Sequence, residues 1–176
     1  MSALTPDETL LGLLAIKPRH GYELLECFNQ PDQLGRVWKL TTSQIYKVLR
    51  RLEEGGLIVG QAVDVPNAPQ RIKYHLTEHG QTRLQQWLGH RTPSGSIRHI
   101  RVEFLSRLYI ARRLQQPVTE MIHHQQQACQ QQLATLNHLR QAAVSEMDAL
   151  ALDFVIGQLN AVLTWIKQCE MLYALS

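Results

Sequence analysis

One segment of the chain concentrates side chains that can bind phosphate groups and the edges of nucleic-acid bases. Between residues 36 and 73 there are seven Lys and Arg and three Asp and Glu, so the segment carries +4, whereas all 176 residues together carry +3. Lys and Arg bind phosphate oxygens and guanine, Gln pairs with adenine, and hydroxyl groups donate to phosphate. The charge distribution, rather than the mild total, favours a nucleic-acid partner.

The cations must be carried by regular elements, and residues 41–58, TTSQIYKVLRRLEEGGLI, predict the first of them. Thr41 and Gln44 match a capping box, and paired glycines at 55 and 56 end the helix. Apolar residues at helical spacing give it a buried face, so the other face is available to a duplex. A solvated helix surface is the alternative, and Gln44 could serve the cap alone. The residues predicted to contact DNA on this helix are Thr42, Ser43, Gln44, Tyr46, Lys47 and Arg50.

A short basic hairpin is predicted directly after this helix. Residues 57–63 form a strand candidate, and two prolines at 66 and 69 mark the turn. In residues 71–76, Arg71 and Lys73 alternate with apolar residues, so one face is basic and the other, with Ile72 and Tyr74, is apolar. Arg71 and Lys73 are therefore predicted to bind the DNA backbone, a solvated hairpin face being the alternative.

Three further helices complete the predicted N-terminal domain. One begins near Thr5 and stops before Pro18, and a second runs from residue 20 or 21 to residue 30 and buries Tyr22, Leu25 and Phe28. Another begins after Thr77. The order of helices, hairpin and helix is that of a winged helix-turn-helix.

Residues 92–96, Thr-Pro-Ser-Gly-Ser, form the clearest predicted linker, so we expect a winged helix-turn-helix domain at 1–91 and a helical domain at 92–176. The fold class is mostly α with a small β wing. Helical segments are predicted at about 97–114, 118–144 and 149–175, and helices of about 27 residues span about 40 Å, too long for three helices to bury alone. A coiled-coil-like homodimer is expected, and its predicted interface is formed by Ile122, Cys129, Leu136, Leu139, Leu152, Ile156, Leu159, Leu163 and Ile166.

Several other classes of protein lack support in the sequence. No stretch approaches 18 uninterrupted apolar residues and no charged start precedes an apolar signal core, so a soluble cytoplasmic protein without a membrane partner is expected. Three distant cysteines predict reduced thiols. The eight histidines lack metal-ligand spacing, and there is no nucleophile elbow or phosphate-binding glycine loop. We therefore expect no metal, no cofactor and no enzymatic activity.

Residues 8–88 resemble the PadR-type transcriptional regulators. The resemblance lies in LLGLL of the first helix, HGYEL at 20–24, SQIYKVLRRLEEGGLI at 43–58 and RIKYHLTEHG at 71–80. Tyr46 matches the tyrosine of the family's recognition helix, and Arg71 and Lys73 match its basic wing positions. The long tail is similar to the branch that includes a Vibrio virulence activator.

The resemblance implies a homodimer that binds a palindromic operator on double-stranded DNA, more often as a repressor than as an activator. Some relatives bind a small aromatic effector, and Tyr109 and Trp165 could line such a site, with core packing as the alternative role. The second hypothesis is a winged-helix module for protein–protein interaction with a helical assembly tail. An exposed face of aromatic residues or Leu would favour that hypothesis.

Overall fold

The computed structural model describes residues 4–63 and 71–173. The chain forms two compact units, and each unit is built from two separate stretches of sequence. The first unit contains the residues up to Gly89 together with Leu105–Gln116, and the second contains His90–Phe104 together with the residues from Pro117 onwards.

The first unit contains three helices before its hairpin: α1 (Asp7–Ile16), α2 (Gly21–Asn29) and α3 (Thr42–Glu54). Helix α1 ends before Pro18 as predicted, but Pro6 rather than Thr5 occupies its N-cap position. In α2 the buried apolar residues are Leu24, Cys27 and Phe28, which share one face at helical spacing.

The predicted inward position of Tyr22 is wrong. Its side chain is 50% exposed, because the helical step that buries Leu24 and Phe28 turns Tyr22 towards solvent. Leu25 is half-buried rather than buried.

Helix α3 has the predicted boundaries and the predicted buried face. Thr41 caps its start, and Ile45, Val48, Leu49 and Leu52 are buried. Gly56 has a φ of 65°, a left-handed conformation that glycine adopts without steric cost, and it turns the chain into the following strand.

The sheet has three antiparallel strands in the order β1–β3–β2. β2 (Ile58–Val63) and β3 (Arg71–Leu76) form the predicted hairpin, with Ile58 opposite Leu76 and Val63 opposite Arg71. A two-residue strand, β1 (Arg19–His20), was not predicted from the sequence and pairs with β3. The tip of the hairpin, including both predicted turn prolines, lies outside the described residues.

Two helices complete the first unit. Thr77 caps α4 (Glu78–Leu88) as predicted. A side chain at Gly80 would lie 2.1 Å from the Leu57 carbonyl oxygen, so glycine lets α4 approach the start of β2. Helix α6 (Leu105–Arg113) packs in this unit because Ile110 lies over Gly12, and Trp38 Nε1 donates to Ser106 Oγ at 2.8 Å.

The second unit consists of a short helix α5 (Ile97–His99), a π-helical segment (Ile100–Phe104) and two long helices, α7 (Thr119–Gln141) and α8 (Glu146–Tyr173). The predicted linker packs within this unit: the buried Gln125 Nε2 donates to the Ser94 carbonyl oxygen at 2.9 Å, and Gly95 lies against the α7 backbone. A boundary between residues 91 and 92 stays a prediction. It treats the domains as consecutive, whereas each compact unit draws on two stretches.

Helix α8 is both long and rich in apolar residues. It contains an 18-residue window of mean hydropathy 1.6, and 11% of that window is buried. By length and composition this helix could cross a membrane, which is weak evidence because helices of soluble proteins can pass the same test. The expectation of no membrane partner therefore stays a prediction.

Candidate nucleic-acid interface

The outward face of α3 presents the polar side chains that the sequence predicts. Thr42, Ser43, Lys47 and Arg50 are exposed, and Tyr46 is 46% exposed. All of them lie opposite or beside the buried face of α3. A helix with short donors at its start and cations along one side has the composition of a helix that enters the major groove.

Two of the three cations of α3 form ion pairs within the chain. Arg50 Nε lies 2.9 Å from Glu54 Oε1, and both side chains are largely exposed. Such a surface pair contributes little free energy, so Arg50 can exchange its carboxylate for a phosphate. Arg51 instead pairs with the buried Asp7 of α1, and the hydrogen bond to Asp7 raises the pKa of Arg51 above its ordinary value. Arg51 therefore has a structural role.

The other cations of this surface have no acidic partner among the described residues. Lys47, Arg71 and Lys73 form no ion pair with any carboxylate of residues 4–63 and 71–173. Lys47 and Arg71 are exposed, and Lys73 is half-buried on β3. Cations without a carboxylate partner can bind an external anion without breaking an internal contact.

Gln44 closes the capping box at the start of α3. Its side-chain Oε1 accepts a hydrogen bond from the Thr41 backbone N–H at 2.8 Å, and the Gln44 backbone N–H donates to Thr41 Oγ1 at 3.3 Å. The side chain is nevertheless exposed. The cap uses the amide oxygen, so base contact by Gln44 stays a prediction that must be compatible with the capping role.

An open cavity of about 500 Å³ joins α3, the start of α2 and the wing. Tyr46 lies against Gly21, where a Cβ atom would come within 2.9 Å of the tyrosine ring. The lining also includes Arg71. The structure thus brings the predicted residue of the helix and one of the wing to the same surface. The complete lining is His20, Gly21, Tyr22, Tyr46, Arg71, Ile72 and Tyr74.

Two residues of this surface were not predicted to have a role there. Tyr22 was assigned to the core, and the HGYEL motif pointed to it only through the family resemblance. Glu53 accepts a hydrogen bond from the Gly60 backbone N–H at 2.7 Å and so fixes β2 to the end of α3. That contact joins residues seven apart across a turn, and helical or strand periodicity gives no signal for it.

The apolar face predicted for β3 is only partly formed. Tyr74 is buried, and burial raises the pKa of its hydroxyl above the ordinary value. Ile72 is 50% exposed and lies over Gly60. Val59 is 44% exposed, but it pairs with His75 and therefore lies on the other face of the hairpin, the face that carries Arg71 and Lys73.

The residues predicted for dimerisation fall into two groups in the second unit. Ile122, Cys129, Leu136, Leu159 and Ile166 are buried within the unit itself. Leu152, Ile156 and Leu163 are half-buried, and Leu139 is 50% exposed. Most of the predicted stripe therefore packs within the chain. Other large apolar side chains of this unit are more exposed: Val144, Met147, Leu150, Phe154, Met171 and Leu172.

The two residues predicted for an effector site are each engaged in packing contacts. Tyr109 belongs to the first unit, where its hydroxyl donates to Gln33 Oε1 at 3.3 Å and burial raises its pKa. Trp165 belongs to the second unit and meets Phe104 edge to face at 6.0 Å. Their role in binding an effector stays a prediction. Within the described ranges, no group of three His, Cys, Asp or Glu could hold a metal ion.

Comparison with known proteins agrees with this geometry. A curated relative, the negative transcriptional regulator PadR of Bacillus subtilis (strain 168), is 28% identical over 128 residues, 72% of this chain and 68% of the relative. The crystal structure of Bacillus subtilis PadR in complex with operator DNA has a TM-score of 0.50 at 20% identity and covers 98% of this chain and 99% of that chain. That of PadR with p-coumaric acid has a TM-score of 0.45 at 22% identity, covering 96% and 98%.

The fold is therefore the winged helix of these regulators with a long C-terminal helix. The model of the transcriptional regulator PadR-like family matches residues 10–86, the segment that contains α3 and the wing. Residues 10–86 are therefore similar to a domain of the PadR-like family, whose model describes transcriptional regulators and not enzymes.

Proposed function

We propose that this protein is a sequence-specific DNA-binding transcriptional regulator in which α3 enters the major groove and the wing grips the adjacent backbone. The observation that carries the proposal is the set of Lys47, Arg71 and Lys73, which have no acidic partner among the described residues. The cavity beside Tyr46 and Arg71 brings the helix and the wing to one surface. Arg50 becomes available when its exposed pair with Glu54 opens.

The protein acts as a homodimer on an inverted repeat. One recognition helix covers a few base pairs, and two helices on a twofold axis about 34 Å apart read both halves of a palindrome. Met147, Leu150 and Phe154 lie at helical spacing on α8 and expose more than half of each side chain. Burial of this face against a second copy contributes about 25 cal/mol for each Å² of apolar surface removed from water. We place the protein in the cytoplasm, because a transcriptional regulator must reach the DNA.

Repression is the proposed direction of control. It is supported by the name of the curated relative, a negative transcriptional regulator that is 28% identical over 128 residues. Deletion of the gene should raise transcription of its target, measured by a reporter fused to the bound promoter. Reduced transcription in the deletion strain would instead identify an activator.

The test of DNA binding is fluorescence anisotropy with the duplex upstream of the protein's own gene and with a random duplex of equal length. We expect the upstream duplex to bind at least about 10³-fold more tightly, and the logarithm of the affinity to fall linearly with the logarithm of salt concentration. A footprint should then show two half-sites about one helical turn apart.

A protein-docking module is the second candidate, because the surface also exposes apolar side chains. Tyr22 and Ile72, which line the same cavity, are each 50% exposed. If DNA binding is absent or insensitive to salt, these residues would be the docking face of a winged-helix assembly module. Salt-dependent and sequence-dependent binding would exclude this second candidate as the main function.

A further inference from the structure

The guanidinium of Arg71 lies over an aromatic ring at the start of α2. Its Cζ atom is 5.6 Å from the centre of the Tyr22 ring, within the range of a cation–π contact. The Tyr22 ring is also stacked with His20, at 5.5 Å between centres and 7° between planes. His20 Nδ1 in turn lies 2.9 Å from the Ile72 carbonyl oxygen of β3. These contacts join the start of α2 to the first residues of the wing strand.

Tyr22 is half exposed although it belongs to a helix with a well-formed buried face. Leu24, Cys27 and Phe28 supply the core contacts of α2, so the unit does not need the Tyr22 ring for its core. The Tyr22 ring instead contacts two side chains outside that core: it stacks on His20, and the Arg71 guanidinium lies over it.

Arg71 needs such a support if it is to hold one position. No acidic side chain within residues 4–63 and 71–173 pairs with it. An exposed arginine has many rotamers, and fixing them on binding costs free energy. A guanidinium stacked on a ring keeps its in-plane N–H donors available, because the ring occupies the face and not the edge. Those donors match the geometry of a phosphate group.

We propose that Tyr22 is a positioning residue for DNA binding: its ring, stacked on His20, holds the Arg71 guanidinium in place to receive a backbone phosphate. The inference rests on the function proposed above and adds a pre-organised wing to it. Affinity then depends on Tyr22 through Arg71, rather than through a direct contact of the tyrosine with DNA.

A double-mutant cycle with anisotropy on the duplex upstream of the protein's own gene tests this dependence. Tyr22→Leu removes the ring and should lower affinity about three-fold, the size of an exposed cation–π contact. Tyr22→Phe keeps the ring and should bind like the wild type. In the Arg71→Ala background, Tyr22→Leu should have no further effect. Thermal unfolding of each variant checks that the fold is kept.

The outcomes separate the inference from the proposed function. If Tyr22→Leu lowers DNA affinity equally in the wild-type and the Arg71→Ala backgrounds, the inference is overturned and the proposed DNA binding stands. A direct contact of Tyr22 with DNA, or a general structural effect, does not require Arg71. A loss in Tyr22→Phe equal to that in Tyr22→Leu would assign the contact to the hydroxyl and also overturn it. Absence of binding by the wild type would overturn both proposals.

Discussion

The Arg51 guanidinium binds the Asp7 carboxylate through two hydrogen bonds, with Nε 3.0 Å from Oδ1 and Nη2 2.6 Å from Oδ2. The pair joins the start of α1 to the end of α3. Its two members differ in exposure, since the Asp7 side chain is 6% exposed and the Arg51 side chain is 49% exposed. Arg51 therefore anchors the proposed recognition helix to α1, whereas the preceding residue, Arg50, is proposed to contact DNA.

Removal of Arg51 should destabilise the protein more than removal of the Asp7 charge. Arg51→Ala leaves a buried carboxylate without its partner and should lower the free energy of unfolding by about 2–3 kcal/mol. The loss is smaller than for a fully buried pair, because Arg51 is half exposed and water can reach the carboxylate once it is removed. Asp7→Asn leaves a guanidinium that water can reach, at a cost of about 1 kcal/mol. Urea unfolding of both variants measures the difference, and a larger loss in Asp7→Asn would contradict it.

The two roles of Gln44 can be separated with one substitution. Gln44→Glu keeps an acceptor at the third helical position, so the capping box survives and the free energy of unfolding should stay within about 0.5 kcal/mol. The new carboxylate faces the DNA, so affinity should fall at least about ten-fold. Gln44→Ala, as the control, should lose about 1 kcal/mol of stability. Unchanged affinity in Gln44→Glu would limit the residue to the cap.

Lys73→Ala should weaken binding to specific and random duplexes alike, because a phosphate contact carries no sequence information. The slope of log affinity against log salt should become less steep by about 0.9. Lys167→Ala, which removes an exposed cation of α8, is the matched control and should keep the wild-type slope. An unchanged slope in Lys73→Ala would remove this residue from the interface.

Lys47→Ala tests the helix in the same assay. A lysine that reaches a base edge contributes to discrimination between sequences. The ratio of the affinities for the upstream and the random duplex should therefore be about ten-fold smaller for this variant than for the wild type. A loss of equal size on both duplexes would assign Lys47 to the backbone instead.

Exposed and buried apolar residues of α8 should respond differently to an added charge. Phe154 is 66% exposed and Leu159 is 1% exposed. Phe154→Glu should yield folded monomers by light scattering and circular dichroism, with a large loss of operator affinity. Leu159→Asp should lose helical signal as well, because a charge enters a packed site. A dimer that survives Phe154→Glu would move the interface elsewhere, and protein recovered only with lipid would indicate membrane association of α8.

The three thiols should react slowly in the folded protein. Cys27, Cys129 and Cys169 are buried, and burial raises the pKa of each thiol above its ordinary value. A raised pKa lowers the fraction of reactive thiolate at pH 8, so alkylation should require unfolding. Labelling with iodoacetamide followed by mass spectrometry measures this for each cysteine. Rapid labelling of one residue would show that its site opens in the native state.

The elements of the candidate interface could be predicted because their signals are local. A capping box, an apolar stripe and a glycine stop define α3 within its own residues. The position of Tyr22 could not be derived in this way, because α2 also contains Leu24, Leu25, Cys27 and Phe28, and more than one set of these residues fits a buried face at helical spacing. The packing of α6 in the first unit depends on the fit of Ile110 over Gly12, residues 98 positions apart. Periodicity reports that a helix has an apolar face and does not report its partner.

Because the first unit is built from two separate stretches of sequence, it limits where the chain can be truncated or joined to part of another protein. A version trimmed after residue 91 would lose Ile110 from its seat over Gly12 and the Arg107 Nη2 hydrogen bond to the Leu88 carbonyl oxygen. A chimera that joins the first unit to the C-terminal helices of another protein would therefore have to keep residues 105–116. An insertion between residues 105 and 116 would displace the same two contacts.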